Sequence, residues 1–264
     1  MDLNVLVSRL TLYVLVFCRM AGVILFNPIL SRRNVPSQLR AALSVGMAIL
    51  VTPTLPEGYL AIAQGMGSIE FVLTMMSELF IGLACGMIFQ FFYYMLFVAG
   101  DIMDTSFGLA MAKVFDPGTN IQTSLSGNLF QFLFVMYIFS TNSHLILIQM
   151  TASSYGLVGL GESSFDGSIG LFLVEIFLTA FSLSIRLMLP FLAATFTMEL
   201  AMGILMKLIP QISVFVIHFQ LKIIMGLLLT FLFASPVSSF VEGYIDTMFQ
   251  GIQELFKAFA AVSP

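Results

Sequence analysis

Tryptophan is absent, cysteine and histidine occur only twice each, and charged residues make up 9% of the 264. Without Trp the strongest marker of an interfacial aromatic belt is missing, and seven Tyr replace it only in part. Cys18 and Cys85 each lie inside an apolar run without the paired spacing of a metal or redox motif, so both read as small buried hydrophobes. His144 and His218 have no carboxylate or Cys at ligand spacing, which argues against a metal or catalytic role. The ten basic residues are scattered and the net charge is −4, so nucleic acid is not an expected partner. No Walker loop and no nucleophile constellation occur, so neither an enzyme nor a cofactor is expected.

What is present is hydrocarbon. Of the residues 59% are hydrophobic, and the mean hydropathy of +1.04 puts the chain in the membrane class. Apolar blocks run from Leu10 to Leu30, Ala41 to Leu55, Ile69 to Ala99, Leu125 to Thr151, Ile169 to Thr197 and Ile212 to Ala234. A span needs about 20 helical residues, so six helical blocks are expected, the second of them short. Arg9 precedes the first block and no small-residue cleavage site follows, so that run is expected to be retained as a helix. Arg32, Arg33 and Arg40 lie in the first loop, Lys113 in the third and Lys207 in the fifth, which by charge bias puts odd loops in the cytoplasm and both termini outside.

Charges inside the blocks qualify that topology. Arg19 and Glu78 are expected to snorkel to an interface, whereas Glu175, Arg186, Glu199 and Lys222 are expected to be buried between helices, because a lone charge in lipid is expensive. Glu199 and Lys222 are equidistant from the Pro210–Gln211 turn. If Ala201 to Ala234 folds back as an antiparallel pair, the two meet at one depth, in this chain or against a neighbouring subunit. Gly82 and Gly86 form a small-xxx-small pair suited to close helix packing. Met and Phe are abundant, at 18 and 28, and a deformable Met and Phe lining closes around variable shapes.

Between the third and fourth blocks lies a partly polar island, Gly100 to Thr123. At helical spacing Asp101, Asp104 and Gly108 share one face, and Met103, Phe107, Ala110, Met111 and Val114 share the other. Asp116, Pro117, Gly118 and Asn120 then end the expected helix.

Several stretches together resemble the FliR-type membrane proteins of flagellar type III export: FCRMAGVILFNPILSRRNVPSQLRAAL, SELFIGLACGMIFQF, AGDIMDTSFGLAMAKVFDPGTN, STNSHLILI and LPFLAATFTMELAMGILMKLIPQISVFVIHFQLK. The resemblance covers nearly the whole chain; Asp101 stands where the family commonly has Glu, and Glu199 where a neutral amide is frequent. It implies an all-α chain of membrane-associated helical hairpins, with residues 1–165 FliP-like and residues 166–264 a FliQ-like hairpin with a C-terminal helix. It further implies one FliR-type chain among FliP-type and FliQ-type subunits in a helical pore complex, an FlhB-type partner, exported flagellar proteins as cargo, and contact with lipid. The complex would sit in the bacterial inner membrane, within the flagellar basal body, its gate extending to the periplasmic side, in conflict with six plain spans. By the same resemblance, Phe107, Gly108, Leu109, Ala110, Met111, Ala112, Lys113, Val114, Phe115, Asp116, Pro117 and Gly118 would plug the closed pore, as hydrophobic constrictions do.

Two other classes compete. A secondary transporter or ion channel for a small solute would use the ionic groups in the blocks but calls for inverted repeats, of which no convincing case is seen. An intramembrane enzyme would need a His, Asp, Ser or Cys cluster at depth, and none is evident.

Overall fold

The computed structural model describes residues 3–30, 35–56, 58–109, 124–161, 167–208 and 214–262. Among these the protein is all-α, with nine α-helices: α1 Leu3–Leu25, α2 Ser37–Val51, α3 Gly58–Gly65, α4 Ser68–Ser106, α5 Leu125–Ser140, α6 Ser143–Ser153, α7 Gly167–Leu208, α8 Val214–Leu232 and α9 Ala234–Val262.

Punctuation follows local chemistry. Past the end of α1 the Asn27 Oδ1 accepts the backbone N–H groups of Ile29 at 2.9 Å and Leu30 at 3.4 Å, an Asx turn around Pro28. Helix α2 starts directly after Pro36 and gives way to a 3₁₀ turn, Thr52–Thr54, at Pro53. Asn142, with φ of 56°, separates α5 from α6 in the left-handed conformation that Asn tolerates. Helix α4 has no such breaker for 39 residues, which is about 58 Å of continuous helix. Hydroxyls in these apolar helices are satisfied by their own backbone: Thr151 Oγ1 donates to the Leu147 carbonyl at 2.8 Å and Thr195 Oγ1 to that of Leu192 at 2.9 Å.

Three described helices are long and apolar enough to cross a membrane, residues 5–25, α4 and α7, and three bent helix pairs bring the total to six if each pair is one span. The first, third and fifth apolar blocks of the sequence fall on those three helices, the fourth is broken within, and the second and sixth end at bends that lead on into α3 and α9. The breaks fall at Pro53 to Pro56, at Asn142 and between α8 and α9.

The chain forms two compact units. The first comprises residues 1–91, 141–177 and 247–264 and the second residues 92–140 and 178–246. In the first, Leu12, Leu15, Val16 and Met20 of α1 pack with Ala48 and Val51 of α2, Ala63 of α3, Tyr155 and Leu160. Helix α1 also lies against α4 through glycines. A Cβ on Gly22 would stand 2.6 Å from the Leu79 carbonyl oxygen, one on Gly86 would stand 2.8 Å from the Phe26 Cβ, and one on Gly82 would overlap the Arg19 carbonyl. Arg19 meets Glu78 while Phe26 meets Gly86, so these helices run parallel. The second unit has an aromatic interior: ring centroids of Phe107 and Phe191 are 6.2 Å apart, Phe191 and Phe233 5.3 Å, and Tyr93 and Phe134 5.7 Å. Helix α9 buries Tyr244, Ile245, Met248, Ile252, Phe256 and Phe259 and exposes Glu242, Asp246, Gln250, Glu254 and Lys257, an amphipathic pattern at helical spacing.

Candidate functional site

Helix α4 ends earlier than the sequence suggests. The expected helix reached Asp116, but the observed one stops at Ser106, and Gly108 takes φ of 77°, which an L side chain resists. Ala110, Met111, Ala112, Lys113, Val114, Phe115, Asp116, Pro117 and Gly118 lie outside the described residues. What the structure does describe is the base from which that stretch departs and to which it returns.

The base is clamped on both sides. Asp104, expected on a polar face, is only 2% exposed. Its carboxylate accepts the Ser124 hydroxyl at 2.7 Å and the Ser126 backbone N–H at 3.0 Å. A carboxylate there satisfies donors at the start of α5 and complements its dipole. Ser124 Oγ in turn accepts the Gly127 N–H at 2.9 Å, in the manner of an N-cap. Helices α4 and α5 touch backbone to backbone at Gly100 and Gly127, where a Cβ on Gly100 would overlap the Gly127 backbone.

Phe107 belongs to the interior. It is 1% exposed, it packs edge-to-face on Phe191, and a Cβ on Gly226 of α8 would fall 2.5 Å from its ring. Leu109 and Gly108 are half-buried. Phe107 thus anchors the stretch in the second unit.

Lys222 Nζ donates to Glu199 Oε1, so the two residues equidistant from the turn do meet within one chain. Their side chains are 17% and 46% exposed, and Glu175 and Arg186 are exposed as well. The expectation of burial between helices is therefore corrected for the chain by itself: helix α7 is only 28% buried over its apolar window, against 56% for the first span and 50% for α4. Too few neighbours surround that helix to enclose its charges. Gly82 and Gly86 stand where α4 approaches α1 most closely.

Arg19 and Glu78 overturn the snorkelling expectation outright, since both are fully buried. The Arg19 Nε donates to Glu78 Oε2 at 2.6 Å and Nη2 to Oε1 at 3.0 Å, a bidentate pair. Its Nη1 donates to Ser154 Oγ at 2.9 Å and Nη2 also to the Val158 carbonyl at 3.2 Å. The Tyr155 ring lies 3.9 Å from the guanidinium carbon. Sequence offered only a weak signal for this, two opposite charges each nine residues into an apolar block, as snorkelling residues also stand; the third participant, the loop at Ser154 to Val158, carried none.

Related sequences cover nearly the whole chain. The family model described as "Bacterial export proteins, family 1" matches residues 10–248. The flagellar biosynthetic protein FliR of Escherichia coli (strain K12) is 26% identical over 249 residues, 94% of this chain and 94% of the relative. That of Bacillus subtilis (strain 168) is 24% identical over 257 residues, 96% of this chain and 97% of the relative. That of Caulobacter vibrioides is 22% identical over 238 residues, 89% of this chain and 94% of the relative.

Proposed function

The chain belongs to the bacterial export proteins, family 1, and from that premise we propose that it is the FliR-type core subunit of a flagellar protein-export gate, a non-enzymatic part of the channel wall. It is a membrane protein of the flagellar export apparatus. Unfolded flagellar proteins pass through the channel, driven by other components. One copy joins FliP-type and FliQ-type subunits in the inner membrane within the basal body, its gate extending to the periplasmic side and an FlhB-type protein docking on it. Residues 1–165 play the FliP-like part and residues 166–264 the FliQ-like part.

The observation that supports the gating role is the clamped base around Asp104, Ser124 and Phe107. A stretch that plugs a pore against a pressure of ions and cargo needs both of its ends fixed. Here the exit is anchored by a buried ring and the return by a carboxylate. Beyond the Phe107 anchor the stretch to Gly118 carries Leu109, Met111, Val114 and Phe115, apolar enough to exclude water from a narrow tube.

The test is to purify the complex from cells co-expressing the neighbouring FliP-type and FliQ-type subunits, through a tag on this chain, and to measure its conductance in planar bilayers. Co-purification of one copy of this chain with several partner copies, a closed wild-type pore, and a leak to small ions after deletion of Ala110 to Asp116 are expected. A monomer that purifies alone would overturn the subunit assignment, and an unchanged leak in an intact complex would overturn the plug.

A further inference from the structure

Within the second unit, α7 carries an unbroken exposed stripe. Leu178, Ser182, Arg186, Leu189, Ala193 and Thr197 follow one another at spacings of three or four residues, and all are exposed. Such a row lies on one side of a helix. Two of its features are unsuited to lipid. Arg186 is an exposed cation in the middle of a 42-residue apolar helix, with no hydrogen-bond or ion-pair partner among the described residues. Four residues on, Pro190 has no N–H to give to the Arg186 carbonyl, so the usual backbone bond of the helix is missing at the level of the guanidinium.

No placement of a bilayer rescues this helix. Its charges fall at Glu175, Arg186, Glu199 and Lys207, so any stretch of about 20 residues, the length of a span, includes at least one. The stretch from Ile176 to Met198, bounded by two carboxylates, puts Arg186 at its centre, where a lone charge is least tolerable. Moving the span toward Leu208 enfolds the Glu199–Lys222 pair, whose carboxylate side chain is 46% exposed. Protein, rather than lipid, must cover this face.

We propose that the α7 stripe centred on Arg186 is the seat of a helix from a different membrane subunit, one that carries an Asp or Glu opposite Arg186. Charge complementarity selects the acid: only a carboxylate accepts the two parallel N–H groups of a guanidinium. Ser182, Ala193 and Thr197 leave room for close helix approach, as small residues do between membrane helices. A groove of about 460 Å³ beside the stripe, lined by Leu189, Ala193, Phe196 and Glu199 among others, is open to receive a bulky apolar side chain from that helix. This inference rests on the reading of the chain as a subunit of a larger gate and adds which face is covered and by what chemistry.

The test uses the complex extracted from co-expressing cells, with the R186K variant and a membrane-permeant carbodiimide. The reagent activates a carboxylate, the introduced amine displaces the urea, and an amide forms only where amine and acid touch. The expected result is a cross-link that mass spectrometry traces to an Asp or Glu in a helix of another subunit type, absent from the wild-type complex. R186M should lower co-purified partner at least about tenfold while R186K retains most of it. A cross-link to a second copy of this chain, a cross-link to its own Glu175 or Glu199, or no cross-link in an intact complex would each overturn the proposal. In the last case the complex itself survives, so the subunit reading stands while the seat at Arg186 falls.

Discussion

Arg19 and Glu78, 59 residues apart, close two parallel hydrogen bonds of 2.6 and 3.0 Å in a site that water does not reach. Desolvating both ions costs several kcal/mol each, so the pair is tolerable only because Ser154, the Val158 carbonyl and the Tyr155 ring complete the guanidinium's contacts. The centre pins α1 to α4 and draws the loop after α6 onto both.

Removing one member should therefore be worse than removing both. R19M or E78Q leaves an uncompensated buried group and is expected to cost about 3–5 kcal/mol. The R19M/E78M double variant should recover much of that. Thermal unfolding of the full chain in detergent reads the difference, and additive losses would show that the two groups do not act as a pair.

Gly82 and Gly46 offer a matched contrast. G82L drives a side chain into the Arg19 backbone and should separate α1 from α4, lowering the melting temperature by well over 5 °C. G46A meets open space on α2 and should leave the fold intact or raise its stability by about 0.5–1 kcal/mol. Similar melting curves for both variants would mean that the helix contact is not as close as described.

D104A removes the acceptor of the Ser124 hydroxyl and the Ser126 N–H, a loss of about 1–2 kcal/mol for a capping group. Hydrogen exchange at the Ser126, Gly127 and Asn128 amides should accelerate, with D104N falling between variant and wild type. Unchanged exchange would place the start of α5 under other control.

F107A empties a fully enclosed ring site and should destabilise the second unit by about 3–5 kcal/mol. G226A introduces a methyl group where the Phe107 ring stands and should also be destabilising. In the F107A/G226A double variant the methyl has room, and the loss should be smaller than the sum of the two. Additive losses would contradict the observed contact.

K222M should reduce recovery of the assembled complex several-fold, whereas K257M should leave it near wild type. Lys222 is half-buried against Glu199 on an apolar helix; Lys257 lies on the exposed polar side of α9. Equal effects, read from tagged pull-downs at matched expression, would count against the pair as an assembly device.

The sequence by itself determined the class and most of the helices. Long apolar runs leave the backbone no alternative but internal hydrogen bonding, and Pro53, Pro56 and Asn142 mark where it breaks. It also put Glu199 and Lys222 at one level, because equal distances along two antiparallel helices from one turn bring residues together in depth, whereas their pairing within one chain was decided by the fold. The tertiary structure decided what each charge faces. Arg19 and Glu78 are spaced in sequence like any snorkelling residues, and only the parallel packing of α1 on α4, with the Ser154 to Val158 loop closing over it, makes them an internal pair. It likewise decided that Asp104 caps α5 and that Phe107 turns inward at Gly108. Helical periodicity gives a residue's side of the helix, whereas burial depends on which other helix occupies that side, and that is a property of the whole fold.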